Sequence, residues 1–194
     1  MACANGGNEM KDVLRGRLVR LSEAQEGDAD YFQQHQWAGA FARSSEWDLA
    51  TVRTHESFVK MLANNEPDGM ILIVRKQTDD SPVGWVELDE IQLKNQVCGL
   101  GIGIVDPAER GHGYGTDAIN CMLAYAFFEM GLYKVRLGVN SNNAAAVHTY
   151  ERVGFKREVV NREGLYQDGK WFDQYEYGIM GSAWMAAHQD WPEF

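Results

Sequence analysis

The order of hydrophobic and polar residues along the chain predicts a mixture of strands and helices. Between residues 17 and 23, Leu18, Val19 and Leu21 alternate with arginines, which is typical of a half-buried strand. Residues 38–49 have no clear period, so we expect a loop or an irregular helix there. Helical patterns cover residues 26–37 and 51–64, and the second helix is expected to bury Val52, Phe58, Val59, Met61 and Leu62.

Two hairpins are indicated by β-rich runs joined by polar turns. Residues 70–76 and 83–91 flank the first turn and are expected to pair antiparallel. Residues 156–166 and 171–180 flank the second turn, whose Asp168-Gly169 pair is a strong hairpin signal. The last residues of the chain are expected to add a helical turn or two.

The central stretch from Val97 to Phe155 organises the rest of the chain. An apolar strand over 97–105 is followed by a glycine-rich turn, a long apolar helix, a strand over 133–140 and a short helix. The whole order is β-α-α-β-β-β-α-β-α-β-β, which predicts an α/β domain with a mixed sheet, because a uniformly doubly wound fold would alternate more regularly. We therefore predict a single domain over residues 16–194, preceded by a loose polar segment over residues 1–15.

Composition narrows the functional classes. The 194 residues are 45% hydrophobic and 24% charged, which are ordinary values for a globular protein. A net charge of −10 makes nucleic acid a poor partner and favours cationic small molecules or basic peptides. Three widely spaced cysteines show neither a disulfide framework nor a zinc pattern, and no signal peptide or membrane-spanning run is visible. We expect a cytoplasmic protein without a metal or a membrane partner.

The glycine-rich turn before the long helix has the features of a phosphate site. Arg110 is followed by Gly111, Gly113 and Gly115, and free main-chain N–H groups at a helix start bind phosphate oxygens well. Taken alone, such a turn is more often a plain tight connection. Its spacing also satisfies a dinucleotide-binding fingerprint, but the following strand ends at Asn140 with no carboxylate to hold a ribose. The nicotinamide-binding interpretation is therefore rejected.

A second motif lies on the short helix that follows. Asn143, Ala146 and Tyr150 are spaced to share one helix face, and Gly154 is placed for a left-handed cap. With the run from Arg110 to Gly115, which matches Arg/Gln-x-x-Gly-x-Gly/Ala, these residues make the chain resemble the GCN5-related N-acetyltransferase (GNAT) family from about residue 17 to 180. Within it, the chain looks like the branch of ribosomal-protein N-terminal and spermidine N-acetyltransferases.

The resemblance implies a fold and a cosubstrate. A GNAT-like fold has about seven strands in a mixed sheet, splayed between the fourth and fifth strands and flanked by helices on both faces. Acetyl-CoA would lie in that gap, held by Gly103, Ile104, Val105, Arg110, Gly111, His112, Gly113, Tyr114, Gly115, Thr116, Asn143, Ala146 and Tyr150. Independently, Gly99, Gly101 and Gly103 strip one strand face of side chains, which fits the close approach of a ligand or, alternatively, of a helix.

The same resemblance implies direct transfer of an acetyl group to a primary amine. Tyr150 is the proposed acid for the departing sulfur, and the N–H of Ile104 or Val105, released by a bulge, is the proposed oxyanion donor. Many relatives carry a glutamate on the fourth strand, but residues 91–105 contain no acid. Glu87 is the substitute base, unless it is an ordinary solvated strand residue and a water chain does the work.

Three questions stay open at the level of sequence. The acceptor amine belongs either to a polyamine or other small molecule or to a protein N-terminus, and residues 38–49 are expected to shape its site. The alternative function is a non-catalytic acyl-CoA-binding or sensing module on the same fold. A homodimer contact through the hairpin over residues 171–177 is a further expectation.

Overall fold

A seven-stranded mixed sheet forms the centre of the computed structural model, which describes residues 13–36, 53–63, 68–189 and 191. In space the strands lie in the order β1-β2-β3-β4-β5-β7-β6, and every neighbouring pair is antiparallel except β4 and β5. The strands are β1 Val19–Ser22, β2 Met70–Lys76, β3 Pro82–Gln92, β4 Val97–Ile104, β5 Lys134–Asn140, β6 Lys156–Gln167 and β7 Lys170–Met180.

Helices cover both faces of the sheet because its central strands are apolar on both sides. In β2, Leu72 and Val74 join one core cluster while Ile71 and Ile73 join the other. The first cluster packs under α3, α4 and α5, and the second packs under α1 and α2. The helices are α1 Asp28–His35, α2 His55–Leu62, α3 Tyr114–Ala124 with a π-helical continuation Tyr125–Glu129, α4 Ala144–Val153 and α5 Gly181–Ala187.

The predicted element order and both hairpins are confirmed. Asp168 and Gly169 both have positive φ, 51° and 77°, as a two-residue turn between twisted strands requires. One predicted core residue is wrong: Val59 is exposed, because Phe58 and Leu62 alone form the buried line of the short helix α2. The predicted loop over 38–49 and the predicted core residue Val52 lie outside the described residues.

The N-terminal end of the described chain is held by the sheet. Leu21 donates its main-chain N–H to the Leu14 carbonyl, and Val13 and Leu14 pack against the first core cluster. Residues 13–15 of the segment predicted to be loose therefore contact the sheet, and its first twelve residues lie outside the described part.

A split between β4 and β5 is the feature that positions the site. The two strands are paired in parallel only over Val97–Gly99 and Lys134–Arg136, and beyond that point they diverge. The predicted splay between the fourth and fifth strands is thus confirmed. The described helices include none with both the length and the apolar content needed to cross a bilayer.

Candidate active site

A cavity of about 870 Å³ fills the opening between β4 and β5. Its walls are the diverging strands, the first turn of α3 and one side of α4. One end is lined by the glycine-rich turn with Glu109, Arg110 and Arg152. The other end is lined by Glu87, Asp89, Glu90 and Glu176, together with Arg136, which pairs with Glu90. A cavity of this size and mixed lining is typical of a ligand site, and carboxyl groups predominate at its second end.

The glycine-rich turn leaves the start of α3 open to the cavity. Gly111 and Gly113 adopt φ of 80° and 90°, a left-handed conformation that favours glycine, and Gly113 is the residue from which α3 begins. The first N–H groups of a helix have no partner within it, so this turn can bind an anion. His112 is exposed and stacks beside Tyr114, and it is not among the residues that line the cavity.

Arg110 fixes the turn to the end of β4. Its Nε donates to the Ile104 carbonyl at 3.0 Å, and its Nη2 lies 3.4 Å from the Val105 carbonyl. The guanidinium therefore lies at the cavity wall with its remaining N–H groups available to a ligand.

Two residues that sequence reasoning missed complete this end. Arg152 on α4 donates from Nη2 to the Thr116 hydroxyl at 2.7 Å and so adds a second cation beside the start of α3. Asp117 is buried in α3, and its carboxylate accepts the main-chain N–H groups of Arg17, Leu18 and Val19 at 2.8 to 3.2 Å. In the sequence, Asp117 could have been noticed as a charged residue within an otherwise apolar helix. Its hydrogen bonds connect β1 to the start of α3.

Tyr150 reaches the cavity from α4. Asn143 caps this helix by accepting the Ala146 N–H at 3.2 Å, and Gly154 ends it with φ 114°, as predicted. The Tyr150 ring packs edge-on against Phe155, and among the described residues its hydroxyl has no hydrogen-bond partner. Burial raises the pKa of Tyr150 to about 12, so the hydroxyl keeps its proton at neutral pH and can donate it.

Glu87 enters the same cavity from β3. It pairs with Gly101 of β4, and a Cβ on that glycine would lie 2.6 Å from the Glu87 carboxylate oxygen. Burial, and secondarily the charge of Asp89, raises the pKa of Glu87 to about 7. Burial likewise raises the pKa of Asp89, whose carboxylate occupies the space that a side chain on Gly99 would need. The glycine stripe of β4 therefore makes room for two carboxyl groups.

The predicted bulge in β4 is wrong. The register with β3 runs unbroken from Gly84↔Ile104 to Asp89↔Gly99, and the Val105 N–H donates to the Val83 carbonyl at 3.1 Å. Val105 is fully buried and does not line the cavity, so it is removed as oxyanion donor and ligand contact. Hydrogen-bonded positions alternate along an antiparallel pair, so the main-chain groups of Gly103 also face β3 and those of Ile104 face the opening.

The remaining predictions concern metal ions and reactive side chains. Cys121 is a fully buried core residue, as predicted, and His148 is an exposed residue that lines the cavity. Across residues 13–36, 53–63, 68–189 and 191, no group of three histidine, cysteine, aspartate or glutamate side chains could hold a metal ion.

Comparison with known proteins identifies acetyltransferases, both as a family and as individual relatives. A family model described as an acetyltransferase (GNAT) domain matches residues 18–156. A spermidine N(1)-acetyltransferase of Vibrio cholerae is 33% identical over 103 residues, which are 53% of this chain and 59% of that protein. The probable N-acetyltransferase YjcK of Bacillus subtilis is 30% identical over 104 residues, which are 53% of this chain and 57% of that protein. The chain thus spans less than two thirds of the length of these curated relatives.

Solved structures share the fold. The crystal structure of spermidine N-acetyltransferase from Vibrio cholerae in complex with CoA and spermine matches with a TM-score of 0.75 and 23% identity. That match covers 87% of this chain and 98% of the other. At this level of identity the likeness establishes the architecture.

Proposed function

The chain belongs to the GNAT acetyltransferase family, and from that premise we propose that it transfers the acetyl group of acetyl-CoA directly to a primary amine. The observation that carries the proposal is the cavity through the split sheet. It joins an anion-binding helix start at one end to a carboxyl group with a pKa near neutrality at the other, with a protonated tyrosine between them.

The cavity suits acetyl-CoA as the donor. The diphosphate is bound by the open N–H groups of the turn from Gly111 to Gly115, with Arg110 and Arg152 beside it. The pantetheine chain lies along β4, where Ile104 turns its main-chain groups into the opening. Because the protein carries a net charge of −10, these local groups are needed to hold an anionic cosubstrate.

Each polar group then has a defined role. Glu87 accepts a proton from the incoming ammonium, and its pKa of about 7 matches a base that works near neutral pH. The amine nitrogen bonds to the acetyl carbon as the carbon–sulfur bond breaks, and the Ile104 N–H stabilises the negative charge on the oxygen. The Tyr150 hydroxyl protonates the sulfur, and the second proton lost by the nitrogen restores that hydroxyl through solvent.

We assign the acceptor to the class of cationic small amines, with polyamines first. Relatives at 28% to 33% identity are named spermidine N(1)-acetyltransferases. The end of the cavity that faces away from the phosphate turn is lined by four carboxyl groups and one cation, Arg136, which is already paired with Glu90. The excess of carboxyl groups favours a cationic ligand. A basic protein N-terminus is the second class of acceptor, and the experiment below includes it.

Release of the CoA thiol tests the proposal. Acetyl-CoA is supplied with spermidine, an aminoglycoside or a short basic peptide, and thiol is measured over time. Amine-dependent thiol release with formation of the acetylated amine is expected. A non-catalytic acyl-CoA-binding module would be stabilised by acetyl-CoA in a thermal melt but would release no thiol with any amine, and that pair of results would overturn the proposal.

Self-association and a cytoplasmic location complete the proposal. The hairpin of β6 and β7 exposes Val159, Val160 and the Tyr166–Trp171 ring pair at its tip. These side chains support a homo-oligomer, which light scattering of the purified protein tests. Cys98 is buried and forms no disulfide within the described residues, which fits a reducing compartment.

A further inference from the structure

Two carboxylates face each other across the split on the face of the sheet that lies opposite α3. Glu87 pairs with Gly101 on one side, and Glu176 of β7 pairs with Gly138 of β5 on the other. Continuing the parallel register from Gly99↔Arg136 by two residues puts the two glycines opposite each other across the opening. The row therefore consists of a carboxylate, two glycines and a carboxylate. The two glycines leave the sheet surface between the carboxylates without side chains, and we call this surface the glycine floor.

The next row toward the strand ends contains an unsatisfied polar group. Asn140 lies two residues beyond Gly138 and so shares its face of the sheet. Its side chain lines the cavity and is only 5% exposed, yet among the described residues no atom donates a hydrogen bond to Oδ1. A buried acceptor without a donor is costly, so a ligand that brings an N–H group to this position gains affinity.

Glu176 is also available for a ligand. Two cations of β5 are occupied, since Arg136 pairs with Glu90 and Lys134 pairs with Glu158. Arg157 of β6 lies over the Tyr175 ring. Within the described part of the chain, Glu176 itself has no ion-pair or hydrogen-bond partner. Its charge is therefore not neutralised by the protein.

We propose that Glu176 and Asn140, together with Glu87, form the seat for the ammonium group of the acceptor amine. A primary ammonium has three N–H donors, and these side chains supply one acceptor group for each of them. Glu87 removes a proton, whereas Glu176 and Asn140 hold and orient the nitrogen over the glycine floor. The inference rests on the proposed function and adds two specificity-determining residues, both outside the recognised acetyl-CoA motifs.

The test compares Glu176→Gln with the wild-type protein. Spermidine binding to the CoA-loaded protein is measured by calorimetry, and KM and kcat are measured with acetyl-CoA. Loss of a charge-assisted hydrogen bond should raise the Kd and KM for spermidine about tenfold or more and leave the KM for acetyl-CoA within twofold. The matched control is Glu163→Gln, which removes the same charge from an exposed residue of β6 that does not line the cavity.

Asn140→Leu gives a second readout that a structural role would not produce. The side chain makes no hydrogen bond within the described residues, so an apolar group of similar shape should leave the melting temperature unchanged or raise it. Spermidine affinity should nevertheless fall.

Three results would overturn the seat: wild-type spermidine affinity in Glu176→Gln, a drop in stability of Asn140→Leu without loss of affinity, or no spermidine binding by the wild-type protein. If spermidine binds through these residues but no amine releases thiol, the proposed function fails and the seat stands.

Discussion

Replacing Glu87 by glutamine tests how the burial of this carboxyl group affects both the stability of the fold and the rate of acetyl transfer. Folding moves the pKa of this carboxyl from 4.5 to about 7, because the charged form loses contact with water between β3 and β4. Each pKa unit corresponds to about 1.4 kcal/mol, so the ionised carboxylate destabilises the folded state by about 3 kcal/mol at most. Since the group is only half-buried, solvent screening reduces this to about 1 to 2 kcal/mol.

The pH dependence has a defined sign. Between pH 4.5 and about 7 the folded state holds the Glu87 proton more tightly than the unfolded state does. The stability contributed by this group is therefore complete below pH 4.5 and is lost as the pH rises through 7. Glutamine cannot ionise, so Glu87→Gln should be more stable than the wild type by about 1 to 2 kcal/mol at pH 9, with the difference vanishing near pH 4.

Urea unfolding at pH 4 and pH 9 measures this difference, with Glu163→Gln as a control that should show none. The same substitution should lower kcat/KM for acetyl transfer about 10²- to 10⁴-fold and remove an acid limb near pH 7 from the wild-type profile. A Gln variant that gains no stability at pH 9 would mean that the carboxylate is well solvated. Glu87 would then not be a base with a pKa near neutrality.

Three further substitutions and one control variant test the rest of the site. Tyr150→Phe should reduce thiol release about 100-fold or more without changing the Kd for acetyl-CoA by calorimetry, and unchanged turnover would remove Tyr150 as the acid. Gly111→Ala and Gly131→Ala both place a side chain at positive φ, 80° and 65°, and each should lower stability by about 1 to 3 kcal/mol. Only Gly111→Ala should also raise the Kd for acetyl-CoA. An equal rise of this Kd in both variants would place the anion site elsewhere. Asp117→Asn should lower the free energy of unfolding by about 2 kcal/mol, because its carboxylate accepts three main-chain N–H groups, and a urea titration unchanged from wild type would contradict this.

Local chemistry explains what could be predicted about the fold. The hairpin at Asp168-Gly169 and the helix cap at Gly154 depend on backbone conformations that a few adjacent residues select. The glycine-rich turn before α3 depends in the same way on a short run of residue types. The prediction that Val59 is buried was wrong because α2 is short. Val59 is hydrophobic, but it does not lie on the side of the helix that Phe58 and Leu62 bury.

The sequence by itself therefore determined the order of the elements, the hairpin turns and the glycine-rich turn at one end of the cavity, because each depends on residues close together in the chain. Glu87 was predicted from the sequence, but only the tertiary structure placed Asn140 and Glu176 on the same face of the sheet. Glu87, Asn140 and Glu176 lie on three strands, and they share a face only because of the strand order β3-β4-β5-β7 and its register. The tertiary structure also decided most of the rise in the pKa of Glu87, since burial is its main cause and the charge of Asp89, two residues along the chain, is the lesser one.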